Sequence, residues 1–222
     1  MDNKLKESLR LAELEFEKEP MRDLYHKKII GFPSRLRIKK ILKEIGNLKG
    51  KKVLDIGCEE GYISLRILSQ NPEELYSIDI CEKALESFRK KISTINTNSK
   101  VIIEKGFLQK IPFKSNFFDF VICTEVIEHT PYLEEGLKEI HRVLKPNGIL
   151  ILTFPNEKLR RLVYPFIKPF GVNVDVVEKA TIFEYPQKEV KNKLLEFFRV
   201  EKYHQFPFYF PITNFFVCVK EK

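Results

Sequence analysis

The chain has 222 residues, 43% of them apolar, which suits one α/β domain with some added structure. Its net charge of +8 invites a nucleic-acid or anionic-membrane partner, but glutamates interleave with the basic residues over 4–18 and 188–202, as on a solvated surface. The four cysteines (Cys58, Cys81, Cys123, Cys218) form no C-x-x-C pair, the first residues are charged with no signal-peptide core, and no run approaches the ~18 apolar residues that cross a bilayer; a disulfide scaffold, a zinc module and a membrane-spanning protein are excluded, and a cytoplasmic location is expected.

In chain order, Leu5, Leu9, Ala12 and Phe16 recur at helical spacing and predict a helix over 3–18, which Pro20 ends or kinks. A second helix follows Pro33-Ser34, carries Leu36, Ile38, Ile41, Leu42 and Ile45 on one face, and stops at Gly46-Asn47. Residues 1–48 are thus a helical leading segment. The stretch Lys51-Lys52-Val53-Leu54-Asp55-Ile56-Gly57-Cys58-Glu59-Glu60-Gly61-Tyr62-Ile63-Ser64 then organises the rest. It reads as a buried parallel strand (52–56), a glycine turn, and a helix over 61–70. Such a turn brings backbone N–H groups and a helix N-terminus to the carboxyl edge of a sheet, and its glycines let a ligand approach the main chain. A second strand over 75–80 carries Asp79 near its end. Asp79 lies 24 residues after Asp55, about one βα unit, the spacing at which a carboxylate meets a ribose.

A helix over 82–92 and a strand over 101–104 follow, then a loop (105–116) and a strand (118–124). The next helix spans 131–144, with Thr130 as its expected cap and Pro131 in its first turn. Pro146-Asn147-Gly148 is a turn and 149–154 a strand. Residues 156–183 are irregular. Leu159, Leu162, Val163, Tyr164, Phe166, Ile167 and Phe170 lie there among Lys158, Arg160, Arg161 and Lys168, and they predict a cap or lid over an apolar pocket, with peripheral membrane contact as a further expectation. A helix over 187–198 and strands at 199–206 and 212–220, joined through Pro207–Pro211, complete the chain. The fold class is α/β: a Rossmann-like, mostly parallel seven-stranded sheet with a C-terminal antiparallel hairpin and helices on both faces, in one domain over 1–222.

These motifs together resemble the class I S-adenosylmethionine-dependent methyltransferases. The resemblance rests on Val53-Leu54-Asp55-Ile56-Gly57-Cys58-x-x-Gly61, on Asp79, on Leu108-x-x-Ile111-Pro112-Phe113-x-x-x-x-Phe118-Asp119-x-Val121, on Glu128-His129 and on Leu144-Lys145-Pro146-x-Gly148. It covers about 50–155 closely. The spacing Gly57-x-x-x-Gly61 departs from the G-x-G-x-x-G of dinucleotide enzymes, which ranks an oxidoreductase well below. Two residues depart from the family pattern: Glu59 stands where it usually has Gly, and Phe107 follows Gly106 where it often has Asp.

The resemblance implies S-adenosylmethionine as cofactor, bound by Asp55, Gly57, Cys58, Gly61, Asp79, Phe107, Leu108 and Thr124. Arg37, 16 residues before Val53, matches an arginine that some quinone-biosynthesis O-methyltransferases carry near the cofactor carboxylate. The run Thr124-Glu125-Val126-Ile127-Glu128-His129 is similar to the E-x-x-E-H of those enzymes and of small-RNA 2′-O-methyltransferases. The latter carry a further histidine downstream, for which the region around 180–185 has no counterpart. Glu125, Glu128 and His129 are three and four residues apart, so one helical turn is expected to gather them as a set for a divalent cation such as Mg²⁺. Without metal, His129 alone is the expected general base, with Glu128 beside it as the other candidate catalytic residue; the alternative is that the Glu128-His129 pair only caps or anchors the following helix. The function expected is methyl transfer to a small, partly apolar acceptor, O-methylation favoured. The alternatives are transfer to tRNA or protein, and a non-catalytic Rossmann-like binding protein.

Overall fold

A computed structural model describes residues 6–7, 10, 32–168, 183–207 and 212–221. The helix expected over 3–18 and residues 169–182 of the expected cap therefore lie almost wholly outside the described residues. The elements are α1 (Phe32–Ile45), β1 (Lys52–Ile56), α2 (Ser64–Leu68), β2 (Glu74–Asp79), α3 (Glu82–Ile92), β3 (Lys100–Lys105), β4 (Phe118–Thr124), a 3-10 turn (Ile127–His129), α4 (Leu133–Val143), β5 (Leu144–Pro155), α5 (Glu157–Ile167), α6 (Gln187–Phe197), β6 (Arg199–Phe206) and β7 (Thr213–Val219).

The strands form one sheet in the order β3-β2-β1-β4-β5-β7-β6. The first five are parallel, and β7 runs antiparallel to both β5 and β6, so the C-terminal pair enters with β7 inside and β6 at the edge. The expected fold class is thus the observed one. Side chains alternate between faces with period two. Leu54, Ile56, Val121, Cys123, Leu150, Leu152, Phe216 and Cys218 join one apolar cluster, which α4 and α6 cover through Leu133, Leu137, Ile140, Val190 and Leu194. Val53, Phe120, Ile122, Ile151, Phe215 and Val217 join the other, beneath Ile41 and Ile45 of α1 and Ile67 and Leu68 of α2. Each such side chain taken fully from water stabilises the fold by about 1.5–3 kcal/mol.

Two local expectations are corrected. Thr130 does not cap α4; its hydroxyl is 2.6 Å from Gln109 Nε2, and the helix begins after Tyr132, whose φ of +65° turns the chain. The helix expected over 61–70 is only Ser64–Leu68, because turns at residues 59–63 intervene. The far end of α4 is closed by Lys220. Its buried ammonium donates to the carbonyls of His141 (2.7 Å) and Leu144 (2.9 Å) and to Asn116 Oδ1 (2.8 Å), satisfying helix-terminal carbonyls that otherwise have no partner.

Candidate active site

The strand order reverses between β1 and β4, and an open crevice is expected at the carboxyl ends of the strands flanking such a switch. The glycine turn lies there. Gly57 has φ +70° and donates its N–H to the Ile78 carbonyl (2.8 Å); a Cβ on it would lie 2.4 Å from Val126 Cγ2. Gly61 has φ +80°, and a Cβ there would lie 2.2 Å from the Phe88 ring. Both positions therefore demand glycine for backbone and packing reasons together. Glu59 also has a left-handed φ, +46°, which accounts for glycine as the usual residue at that position of the motif.

Asp79, at the tip of β2, orders this loop. Its Oδ2 accepts the Glu59 N–H and its Oδ1 the Cys81 N–H, both at 2.9 Å. Burial raises its pKa, while these amides pull the other way. The Ile80 amide is a third backbone donor to this carboxylate, and a carboxylate offers about four lone-pair sites, so acceptor capacity is left for a ligand hydroxyl. Asp55 is buried beneath the turn and accepts the Ser64 hydroxyl at 2.5 Å; Ser64 is in turn 2.8 Å from Ser77. Burial lifts Asp55 to about 7, against the Ser64 bond and with a smaller push from Asp79. Cys58 turns its side chain into a small core with Leu85 and Phe88, and burial pushes its thiol well up. Its thiol also donates to the Glu59 carbonyl at 3.7 Å, within the turn.

Beyond β3, the Gly106 N–H bonds to the Asp79 carbonyl (3.0 Å), which brings the next residue, half-buried Phe107, close to the β2 tip and outside the three apolar clusters. Leu108 is core; its side chain packs where a Cβ on Gly136 of α4 would fall, 2.7 Å from Leu108 Cγ. Thr124 is buried at the end of β4 and pairs in register with Thr153 of β5.

The run after Thr124 is not the single helical turn expected. Glu125 has φ +55°, and the 3-10 turn starts only at Ile127, so the three residues do not lie on one helical turn. Its Oε1 lies 3.1 Å from both Arg37 Nη1 and Thr153 Oγ1. Glu128 is buried, with Oε2 lacking a hydrogen-bond partner among the described residues. Burial, and then the charge of Glu125, raise its pKa well above the usual carboxylate range. His129 Nε2 is 3.9 Å from Glu128 Oε1, too far for a hydrogen bond. Among the described residues, no group of three His, Cys, Asp or Glu side chains is placed to hold a metal ion. The expected gathering of Glu125, Glu128 and His129 does not form, because the left-handed residue breaks the helical spacing on which it depended.

Sequence reasoning missed the neighbours from α5 and beyond. Glu157, Arg160 and Tyr164 share one helix face at spacings of three and four. Glu157 Oε1 pairs with Arg160 Nη1 (3.1 Å), and its Oε2 is 3.4 Å from the Tyr164 hydroxyl. The Arg160 charge, opposed by burial, is supported by Glu125 and Glu157. The Phe183 N–H bonds to the Glu128 carbonyl (2.9 Å) and the Tyr185 hydroxyl to the Thr130 carbonyl (3.0 Å), which ties down the residues before and after His129, and the two rings stack on each other. The i, i+3, i+4 spacing on α5 was the available signal. An open depression of about 360 Å³ beside Leu68, Asn71 and Asn96 lies at the opposite, amino edge of the sheet, away from these groups.

The donor set fits a sulfonium nucleoside: a carboxylate for ribose hydroxyls, a guanidinium for a carboxylate, and a turn that admits close approach. A family described as a methyltransferase domain matches residues 54–152. Demethylmenaquinone methyltransferase of Staphylococcus aureus is 29% identical over an alignment covering 71% of either chain. Among solved structures, the PH0226 protein of Pyrococcus horikoshii superposes with TM-score 0.69 at 22% identity, over 93% of this chain and 98% of that one. Magnesium protoporphyrin IX methyltransferase of Synechocystis, solved with bound SAH, gives 0.71 at 19% identity, over 96% and 99%.

Proposed function

We propose, on the premise that this chain is a class I S-adenosylmethionine-dependent methyltransferase, that it methylates a small, partly apolar acceptor, with a hydroxyl oxygen as the favoured receiving atom. The observation that carries this reading is the turn at the tip of β4. It sets a half-buried imidazole at the carboxyl edge, on a stretch of chain that the Phe183 amide and the Tyr185 hydroxyl hold at the Glu128 and Thr130 carbonyls. The names of the Staphylococcus relative and the Synechocystis neighbour, a quinone and a porphyrin enzyme, support an acceptor of this kind.

Bound in the crevice, S-adenosylmethionine supplies an electrophilic methyl group on a sulfonium. Asp79 receives the ribose hydroxyls, Gly57, Cys58 and Gly61 present main chain, and Asp55 holds the turn through Ser64. Phe107 would stack on the base, the Leu108 main chain and Thr124 would line the nucleoside and methionine ends, and Arg37 would face the carboxylate. His129 would take the proton that the acceptor hydroxyl loses on methylation. Alignment supplies most of the rate enhancement and proton removal a further factor of roughly 10²–10⁴.

Transfer to tRNA or protein is the weaker reading. Several lysines are already paired with carboxylates, as in Lys138–Glu134, Lys193–Glu134 and Lys202–Glu44. The test is release of S-adenosylhomocysteine from S-adenosylmethionine over a panel of phenols, quinols and alcohols, with tRNA and a protein mixture alongside. Turnover on apolar phenols or quinols is expected. Turnover on tRNA alone, falling steeply between low and physiological salt, would reverse the ranking. Donor binding without turnover on any acceptor would favour the binding-protein reading.

A further inference from the structure

Glu125 is unusual in its backbone: φ +55° is a conformation that a glutamate disfavours, and such strain at a strand tip persists only where its surroundings fix it. Its amide donates to the Thr153 carbonyl at 2.9 Å. The Thr153 hydroxyl donates back to Glu125 Oε1 at 3.1 Å, and Arg37 Nη1 lies 3.1 Å from that same oxygen. Thr153 is fully buried in β5, and Arg37 is 7% exposed on α1. The contacts thus run from the sheet interior, through Glu125, to the helix that leads into β1. Val126, next in the chain, fills the space beside Gly57, which puts this relay at the crevice.

We propose that Glu125 is a positioning residue: buttressed by Thr153, it holds the Arg37 guanidinium where it receives the carboxylate at the amino-acid end of the methyl donor. This rests on the donor reading given above. An arginine fork recognises a carboxylate through parallel N–H···O bonds, and its value depends on how firmly it is oriented before the ligand arrives. Glu125 itself touches no reacting atom. Were Glu125 instead a competitor for Arg37, its removal would strengthen binding rather than weaken it.

Calorimetric titration with two nucleosides separates these cases. S-adenosylhomocysteine carries the amino-acid carboxylate; 5′-methylthioadenosine keeps the thioadenosine portion and lacks it. Arg37→Met should weaken S-adenosylhomocysteine about tenfold or more and leave methylthioadenosine within about twofold. Glu125→Ala should do the same. Glu125→Gln, which keeps an accepting oxygen, should recover part of the loss, and Thr153→Val should fall between. Equal weakening of both ligands in Glu125→Ala would reduce the residue to a structural role and overturn the proposal, as would tighter S-adenosylhomocysteine binding. If Glu125→Ala does not fold, the ratio of the two affinities in Glu125→Gln and Thr153→Val decides: a ratio unchanged from wild type overturns the proposal. Failure of the wild type to bind either nucleoside would instead overturn the donor reading.

Discussion

Replacing Glu59 with glycine should stabilise the protein. At φ +46° the side chain sits in the left-handed region, where a Cβ costs about 1–2 kcal/mol. Glycine removes that strain, but it also gives the unfolded chain more freedom, worth about 0.5–1 kcal/mol in the other direction. The bond from the Glu59 N–H to Asp79 Oδ2, at 2.9 Å, belongs to the main chain and survives the change. The net gain is ~0.5–1 kcal/mol, which for a chain of this size raises the melting temperature by roughly 1–4 °C. Circular dichroism melts of the wild type, Glu59→Gly and Glu59→Ala provide the measurement. Alanine also loses the carboxylate but keeps the strain, so it should melt below the glycine variant. A glycine variant that melts lower than the wild type would refute the reasoning, because the carboxylate would then make a contact worth more than the strain.

Gly61→Ala should go the other way. A methyl group 2.2 Å from the Phe88 ring, at φ +80°, should cost about 2–4 kcal/mol in urea unfolding, whereas full stability would mean that Phe88 moves aside freely. Asp55 predicts a pH dependence. Its folded pKa of about 7 lies above the ordinary 3.8, so between those values the folded state keeps a proton that the unfolded chain has released, and stability falls as pH rises through that window. The interval corresponds to at most ~4 kcal/mol, and Asp55→Asn, which cannot ionise, should gain on the wild type between pH 4.5 and 7.5; parallel stability curves would contradict this. Asp79→Asn should abolish the thermal shift that the wild type shows with S-adenosylhomocysteine, a shift of several degrees at a hundredfold excess over Kd. An unchanged shift would remove Asp79 from the ribose site.

The sheet was legible because its strands obey a period of two with apolar residues on both faces. Val53 and Leu54, or Val121 and Ile122, fall into opposite clusters as a buried parallel strand requires. Gly57, Gly61 and Asp79 were legible as well, since only a few residue types serve a left-handed turn or a strand-tip acceptor. What escaped was set by tertiary contact. Nothing local announces that Glu125 adopts a left-handed φ, and that single torsion dissolves the helical spacing which seemed to join Glu125, Glu128 and His129. Thr130 and Pro131 look like a helix start, yet Gln109, distant in sequence, takes the hydroxyl. Glu157, Arg160 and Tyr164 show the spacing of a helix face, but their proximity to Glu125 comes from the way β5 delivers α5 to the same edge.

The position of α5 has one more consequence. Among the described residues, this helix contributes no side chain to the three apolar clusters, although it brings Glu157 and Arg160 to the site. Changes along it should alter what the crevice admits while leaving the foundations of the fold nearly untouched. Most proteins sit only slightly above the stability they require, so a segment that adds little to the packed clusters is where a lineage, or a directed-evolution library, can vary sequence with the fewest casualties.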